Sequence, residues 1–124
     1  MSGPLFIIGG HEDRDPEGRR TILAAIAKRL GGGKLVIATI ASPSRTGYFE
    51  EYQAAFAGLH EGELVELYLD QRDEADAPAT LDLLEGARGF FFTGGNQTRL
   101  VSMISGTAVH ERLRKLHREG GLVA

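Results

Sequence analysis

The residues best suited to chemistry lie in Gly89-Phe90-Phe91-Phe92-Thr93-Gly94-Gly95-Asn96-Gln97, where an apolar run meets a paired glycine and two amide side chains. A short aromatic run is what a strand buried on both faces requires, and a glycine pair lets the backbone turn sharply with its N–H groups exposed. Such donors suit a carboxylate or a developing oxyanion. The chain repeats the device at Leu5-Phe6-Ile7-Ile8-Gly9-Gly10, followed by Glu12 and Asp13, and a third pair, Gly120-Gly121, precedes Leu122-Val123-Ala124.

Other combinations fail on spacing. Three His-Glu pairs, His11-Glu12, His60-Glu61 and His110-Glu111, lack the second histidine of a zinc-hydrolase helix, because the required position holds Asp15, Leu64 or Lys115. His110 and His117 are seven apart, a spacing compatible with one helix face, and with Arg112, Arg114, Lys115 and Arg118 nearby they read as solvated surface without a role. Gly31-Gly32-Gly33-Lys34 has Leu35 where a phosphate loop needs Ser or Thr, and it precedes a strand where it should follow one. Gly9-Gly10 lacks the G-x-G-x-x-G pattern and carries two acids where a pyrophosphate would lie. Neither a metal nor another cofactor is expected.

The 124 residues fit one domain spanning 1–124, and 42% hydrophobic residues can furnish its core. The absence of cysteine excludes disulfides, thiolate metal sites and a cysteine nucleophile. No apolar run approaches the ~20 residues of a membrane span, and Met1-Ser2-Gly3-Pro4 does not open a signal peptide. A cytoplasmic protein without membrane contact is therefore expected. A net charge of −3, with both signs interspersed, gives no reason to expect nucleic acid as a partner.

The elements that must position the glycine turns follow from periodicity. After a first strand at Leu5–Ile8, Asp15-Pro16-Glu17 signals a helix start, and Ile22, Leu23, Ile26, Ala27 and Leu30 carry the helical spacing up to Gly31-Gly32-Gly33. A strand over Lys34–Ile40 follows, then a helix with Phe49, Tyr52, Phe56 and Leu59 on one face, and a strand over Leu64–Leu69. A polar stretch from Asp70 to Pro78, its charges read as solvated, leads to a short helix around Leu81, Leu83 and Leu84 and then to the aromatic strand. Helices over Asn96–Ser105 and from Thr107 or Ala108 to Glu119 precede a strand beginning at Leu122. This alternation predicts a doubly wound α/β fold: a mainly parallel, Rossmann-like sheet flanked by helices. A strand order of 3-2-1-4-5 would make the first strand and the aromatic strand neighbours, bringing Gly9-Gly10 and Gly94-Gly95 together at the carboxyl-end crevice.

In combination, Ile7-Ile8-Gly9-Gly10 with Glu12-Asp13, Ile37-Ala38-Thr39-Ile40-Ala41-Ser42, and Phe91-Phe92-Thr93-Gly94-Gly95-Asn96-Gln97 with Arg99-Leu100 resemble the cyanophycinase family. The likeness extends through Gly106-Thr107 to Gly120-Gly121-Leu122-Val123-Ala124 and so spans essentially the whole chain. The wider group includes dipeptidase E-like serine peptidases and has a fold similar to class I glutamine amidotransferases. Members hydrolyse peptide or isopeptide bonds at aspartyl residues, and cyanophycinases cut the arginine-bearing aspartate polymer cyanophycin.

The resemblance implies an oxyanion role for the backbone at Gly94 and Gly95, and a substrate-facing role for Gln97, Asn96 and Gly10. Asn96 stands where aspartate is common, which weakens attraction to a basic substrate group. Two readings compete at these positions, since Gly95 also suits close packing and Asn96 is a good N-cap in any protein. Glu12 and Asp13 read either as loop-supporting acceptors or as substrate-facing groups.

In the family the last strand continues into a Gly-x-Ser-Ala-Gly nucleophile elbow, which does not occur in these 124 residues. Ser42, Ser44, Ser102 and Ser105 sit in other motif positions. The fold is thus expected to be truncated before the elbow, and the chain inactive alone. A homo-oligomer or a complementing C-terminal segment is the expected partner, with peptide or cyanophycin-like material as substrate. The alternative is a non-catalytic binding domain that retains the glycine crevice.

Overall fold

A computed structural model describes residues 21–40, 48–93 and 97–124. Within them, helix α1 (Thr21–Leu30) leads to strand β1 (Lys34–Ala38), α2 (Tyr48–Phe56) to β2 (Leu64–Leu67), and a 3-10 helix (Arg72–Asp76) with α3 (Pro78–Leu84) to β3 (Ala87–Phe92). Then α4 (Gln97–Ile104) and α5 (Ala108–Arg118) precede β4 (Leu122–Val123). All pairings are parallel, in the order β2-β1-β3-β4. The α/β class and the alternation of elements therefore agree with the sequence reading.

The strand order does not. Leu35, Val36, Ile37 and Ala38 lie directly opposite Gly89, Phe90, Phe91 and Phe92, while the other edge of the same strand faces Leu64 to Leu67. Both edges of β1 are thus occupied, and no further strand can enter between β1 and β3. The expected neighbour of the aromatic strand was Leu5–Ile8, and β1 holds that position instead. Those first residues, with the helix start at Asp15-Pro16, lie outside the described residues.

Strand alternation sends successive side chains to opposite faces. Leu35, Ile37 and Phe91 pack with Leu23 and Ile26 of α1 and with Tyr52 and Phe56 of α2. Val36, Ala38 and Phe90 pack on the other face with Leu84 of α3, Met103 and Ile104 of α4 and Val109 of α5. Phe90 and Phe91 are each only 1% exposed, as a strand covered on both faces demands. Phe91 lies 4.9 Å from Tyr52 and meets Phe56 edge-on at 6.2 Å, contacts worth about 0.5–1.5 kcal/mol each beyond burial. In α3 only Leu84 is fully buried, whereas Leu83 points outward.

The polar stretch after β2 does more than face solvent. The Arg72 guanidinium donates to the carbonyls of Ser102 and Ser105 at the end of α4, and Asp76 accepts from the Ala108 N–H at the start of α5 at 2.8 Å. Each charge meets the helix end of opposite partial charge, so one 3-10 turn fixes the α4–α5 corner. Thr107 completes that corner by capping α5 through the His110 N–H. His110 is itself half-buried and accepts from the Gly106 N–H through Nδ1 at 3.2 Å, which corrects its assignment as a simply solvated residue.

At the amino ends of β1 and β2, His60 is buried against Phe56, with ring centroids 6.3 Å apart. Neither ring nitrogen has a well-formed hydrogen bond. Desolvation lowers its pKa below 6.5, with the backbone of Gly33 and Glu63 acting in the opposite sense. The unfolded chain therefore takes up this proton first as pH falls, and stability is lost from about pH 6.5 downward. Replacement by an apolar side chain, His60→Leu, is expected to leave stability at pH 7.5 unchanged or raised and to flatten its decline toward pH 5.5. Urea unfolding at the two pH values checks this, and equal declines in parent and variant would contradict it. A methyl group at Gly62 would collide with the Gly32 carbonyl and the His60 ring, so Gly62→Ala is expected to cost about 1–3 kcal/mol in the same measurement.

Candidate active site

In an open parallel sheet, ligands bind beyond the carboxyl ends of the strands where the order of connection reverses. With the order β2-β1-β3-β4, that reversal lies between β1 and β3. Their register brings Ala38 level with Phe92, so both strands end at the same height. Thr39, Ile40 and Thr93, the residues just beyond, are all buried.

Hydrogen bonds tie these ends together. The Thr93 N–H donates to the Ala38 carbonyl at 3.0 Å, with its hydroxyl at 3.4 Å from the same oxygen. The Thr39 N–H donates to Leu67 O at 3.1 Å, while its hydroxyl donates to Glu66 Oε2 at 2.9 Å. On the far side of β3, Phe92 N–H donates to Ala124 O and Ala124 N–H to Phe90 O, both at 2.9 Å.

Arg99, in the first turn of α4, reaches across this end of the sheet. Its Nε donates to Ile40 O at 2.9 Å, and Nη2 donates to Leu69 O at 2.9 Å, with the Tyr68 hydroxyl at 3.4 Å. The guanidinium carbon stands 5.9 Å from the Tyr68 ring centroid. Ile40 and Leu69 are fully buried, and a buried carbonyl without a donor costs about 1–3 kcal/mol. Sequence reasoning quoted Arg99 only as part of a motif and assigned it nothing. The available signal was an arginine on the first turn after a glycine pair, but the carbonyls it serves are 59 and 30 positions away.

Of the expected site residues, Gln97 opens α4, directly beyond the crevice. Gly94, Gly95, Asn96 and Gly10 lie outside the described residues, as do Glu12, Asp13, Ser42 and Ser44. Ser102 donates its hydroxyl to Arg99 O, and His60 sits at the opposite end of the sheet. Neither placement is that of a nucleophile with its base. Among the described residues no three His, Asp or Glu side chains group as a metal site, and no helix is long and apolar enough to cross a membrane.

A cleft of about 270 Å³ lies between Leu84–Arg88 and the second half of α5, with Arg112, Lys115 and Leu116 on its wall. It opens at the amino end of β3, the wrong end of the sheet for the crevice chemistry, and its Arg112 is already paired with Glu85 at 3.3 Å.

The chain is 32% identical over 120 residues to the cyanophycinase of Trichormus variabilis, covering 95% of this chain and 40% of that protein. It is 32% identical over the same length to the cyanophycinase of Synechococcus elongatus, covering 37% of it. The chain thus spans about two fifths of the length of these relatives. Among solved structures, a peptidase from an acI-B1 Actinobacterium superposes with a TM-score of 0.82 at 17% identity, covering 100% of this chain and 53% of that one. A putative Peptidase E protein from Listeria monocytogenes gives 0.55 at 20% identity, over 83% of this chain and 50% of its own. These likenesses concern the fold. No family model matches the chain.

The Thr39–Glu66 contact is a measurable tie between the ends of β1 and β2. Thr39→Val is expected to cost about 1 kcal/mol, and a double-mutant cycle with Glu66→Leu, which removes the acceptor, to return a coupling of at least about 0.5 kcal/mol. Additive effects in denaturant unfolding would show that the bond contributes nothing.

Proposed function

We propose that the chain belongs to the cyanophycinase and peptidase E-like family and forms the substrate-binding, oxyanion-stabilising part of a serine-type hydrolase acting on aspartyl peptide or isopeptide bonds. The observation that carries the reading is that β3 ends at the β1/β3 reversal, with Thr93 tied to Ala38, and that α4 starts from Gln97. Ligand chemistry in open α/β sheets concentrates at that place.

In this reading the backbone N–H groups at Gly94 and Gly95 receive the oxyanion that forms when a serine attacks the scissile carbonyl. Fixed donors of that kind lower the barrier without reorganising, each contributing about 3 kcal/mol. Gln97 faces the substrate beside them. Asn96 contributes a neutral amide, so a guanidinium on the substrate is held less strongly than a carboxylate would hold it. The serine comes from a segment carrying the Gly-x-Ser-Ala-Gly elbow, together with its general base, because neither occurs among these 124 residues.

The test combines this chain with a C-terminal segment of the Trichormus variabilis cyanophycinase that includes the elbow. Hydrolysis of a β-aspartyl-arginine dipeptide is expected only with both parts present, with a serine-directed phosphonate labelling the elbow serine. Labelling of a serine within the 124 residues alone would overturn the assignment. In the combined enzyme, Gln97→Leu is expected to lower kcat/KM at least about tenfold, equivalent to about 1.4 kcal/mol of transition-state stabilisation.

A further inference from the structure

We propose that Arg99 is the positioning residue of the carboxyl-end crevice, a clamp that sets where α4, and with it Gln97, begins relative to β1 and β2. The catalytic consequence rests on the hydrolase reading, whereas the clamp itself does not. The connection from β3 to α4 is anchored to the end of β1 at both of its sides. Before it, Thr93 bonds Ala38 O, and after it, Arg99 bonds Ile40 O, two residues further along the same chain segment. The second arm of the guanidinium reaches Leu69 O beyond β2, so one side chain ties α4 to the ends of two adjacent strands.

Arginine is required by the geometry. Two carbonyls from different strands are met by Nε and Nη2 of one rigid plane, whose donors have fixed directions, and the Tyr68 ring lies 5.9 Å from its centre. A lysine keeps the charge but is a single ammonium on a flexible stem, and it cannot hold both carbonyls at the same separation. Ile40 and Leu69 are themselves fully buried and the bonds to their carbonyls partly so, which limits replacement of the lost donors by water. Losing the fork therefore loosens the first turn of α4 while leaving the sheet pairing and both packed cores in place.

The test uses the 124-residue chain with Arg99→Lys and Arg99→Ala. Amide hydrogen exchange, read by NMR, is expected to rise at least about tenfold at residues 97–101 in both variants, with amides of β1, β3 and α1 changed less than about threefold. The parent is expected to show a slowly exchanging Arg99 Nε–H resonance distinct from those of solvated arginines. If Arg99→Ala fails to fold, Arg99→Lys carries the comparison. Unchanged exchange at residues 97–101, or an equal rise throughout the chain, would overturn the clamp. In the combined enzyme, Arg99→Lys is expected to lower kcat at least about tenfold with KM changed less than about threefold, and an unchanged kcat would overturn the positioning role. If the parent combination hydrolyses nothing, the hydrolase reading fails, and the exchange pattern still decides the clamp.

Discussion

The direct parallel pairing of β1 with β3 is the constraint on which the rest of the structure depends. Leu35 to Ala38 against Gly89 to Phe92 brings two apolar segments side by side and level at their carboxyl ends. One extra residue, Arg88, is accommodated between the pairs Lys34–Ala87 and Leu35–Gly89, so the registers of both strands agree from there to the crevice. A side chain at Gly89 would press on Leu30 of α1, which would have to shift to admit it. Without this register, Ala38 and Thr93 would not meet, and the connection leading to α4 would lose its first anchor.

Packing extends the same constraint to both faces. Phe90 and Phe91 belong to opposite cores, so one strand holds α1 and α2 on one side and α3, α4 and α5 on the other. The polar contacts then orient the helices that apolar burial brings in. Arg72 and Asp76 bind the neighbouring ends of α4 and α5, and Arg99 binds the beginning of α4 to the sheet. Helix α4 is thereby held by an arginine at each end, although it spans only Gln97 to Ile104. Hydrophobic burial is non-directional and cannot set a helix's position along its own axis, whereas hydrogen bonds with fixed geometry can.

The position of the reversal point directs ligand chemistry to the carboxyl end of the sheet. The cleft at the amino end of β3 combines the buried Leu84 and Phe90 with the Arg112–Glu85 salt bridge. The buried and unpartnered His60 is likewise at that amino end, where it affects stability and stands apart from the crevice.

Much of the fold was legible in the sequence. The glycine run after Leu30 ends α1 through positive backbone angles of φ 57° at Gly31 and 88° at Gly32, and Thr107 caps α5. Helical spacing at Tyr52, Phe56, Met103 and Ile104 and the apolar pair Phe90-Phe91 marked buried positions, whereas Phe92 is only partly buried. These signals are local: periodicity, turn stereochemistry and capping act within a few residues. Strand order was misread because every fully apolar strand satisfies the same pattern, and pattern does not say which neighbour a strand takes. The roles of Arg72, Asp76 and Arg99 were invisible for a related reason. Each side chain serves backbone groups 30 or more positions away, and such partners exist only once the chain has closed on itself. The sequence by itself determined the elements, the α/β class and the family resemblance, because these rest on local chemistry and residue order. Tertiary structure alone decided the β1–β3 pairing and which distant carbonyls Arg99 meets, because these depend on which backbone groups remain to be satisfied once the chain has closed.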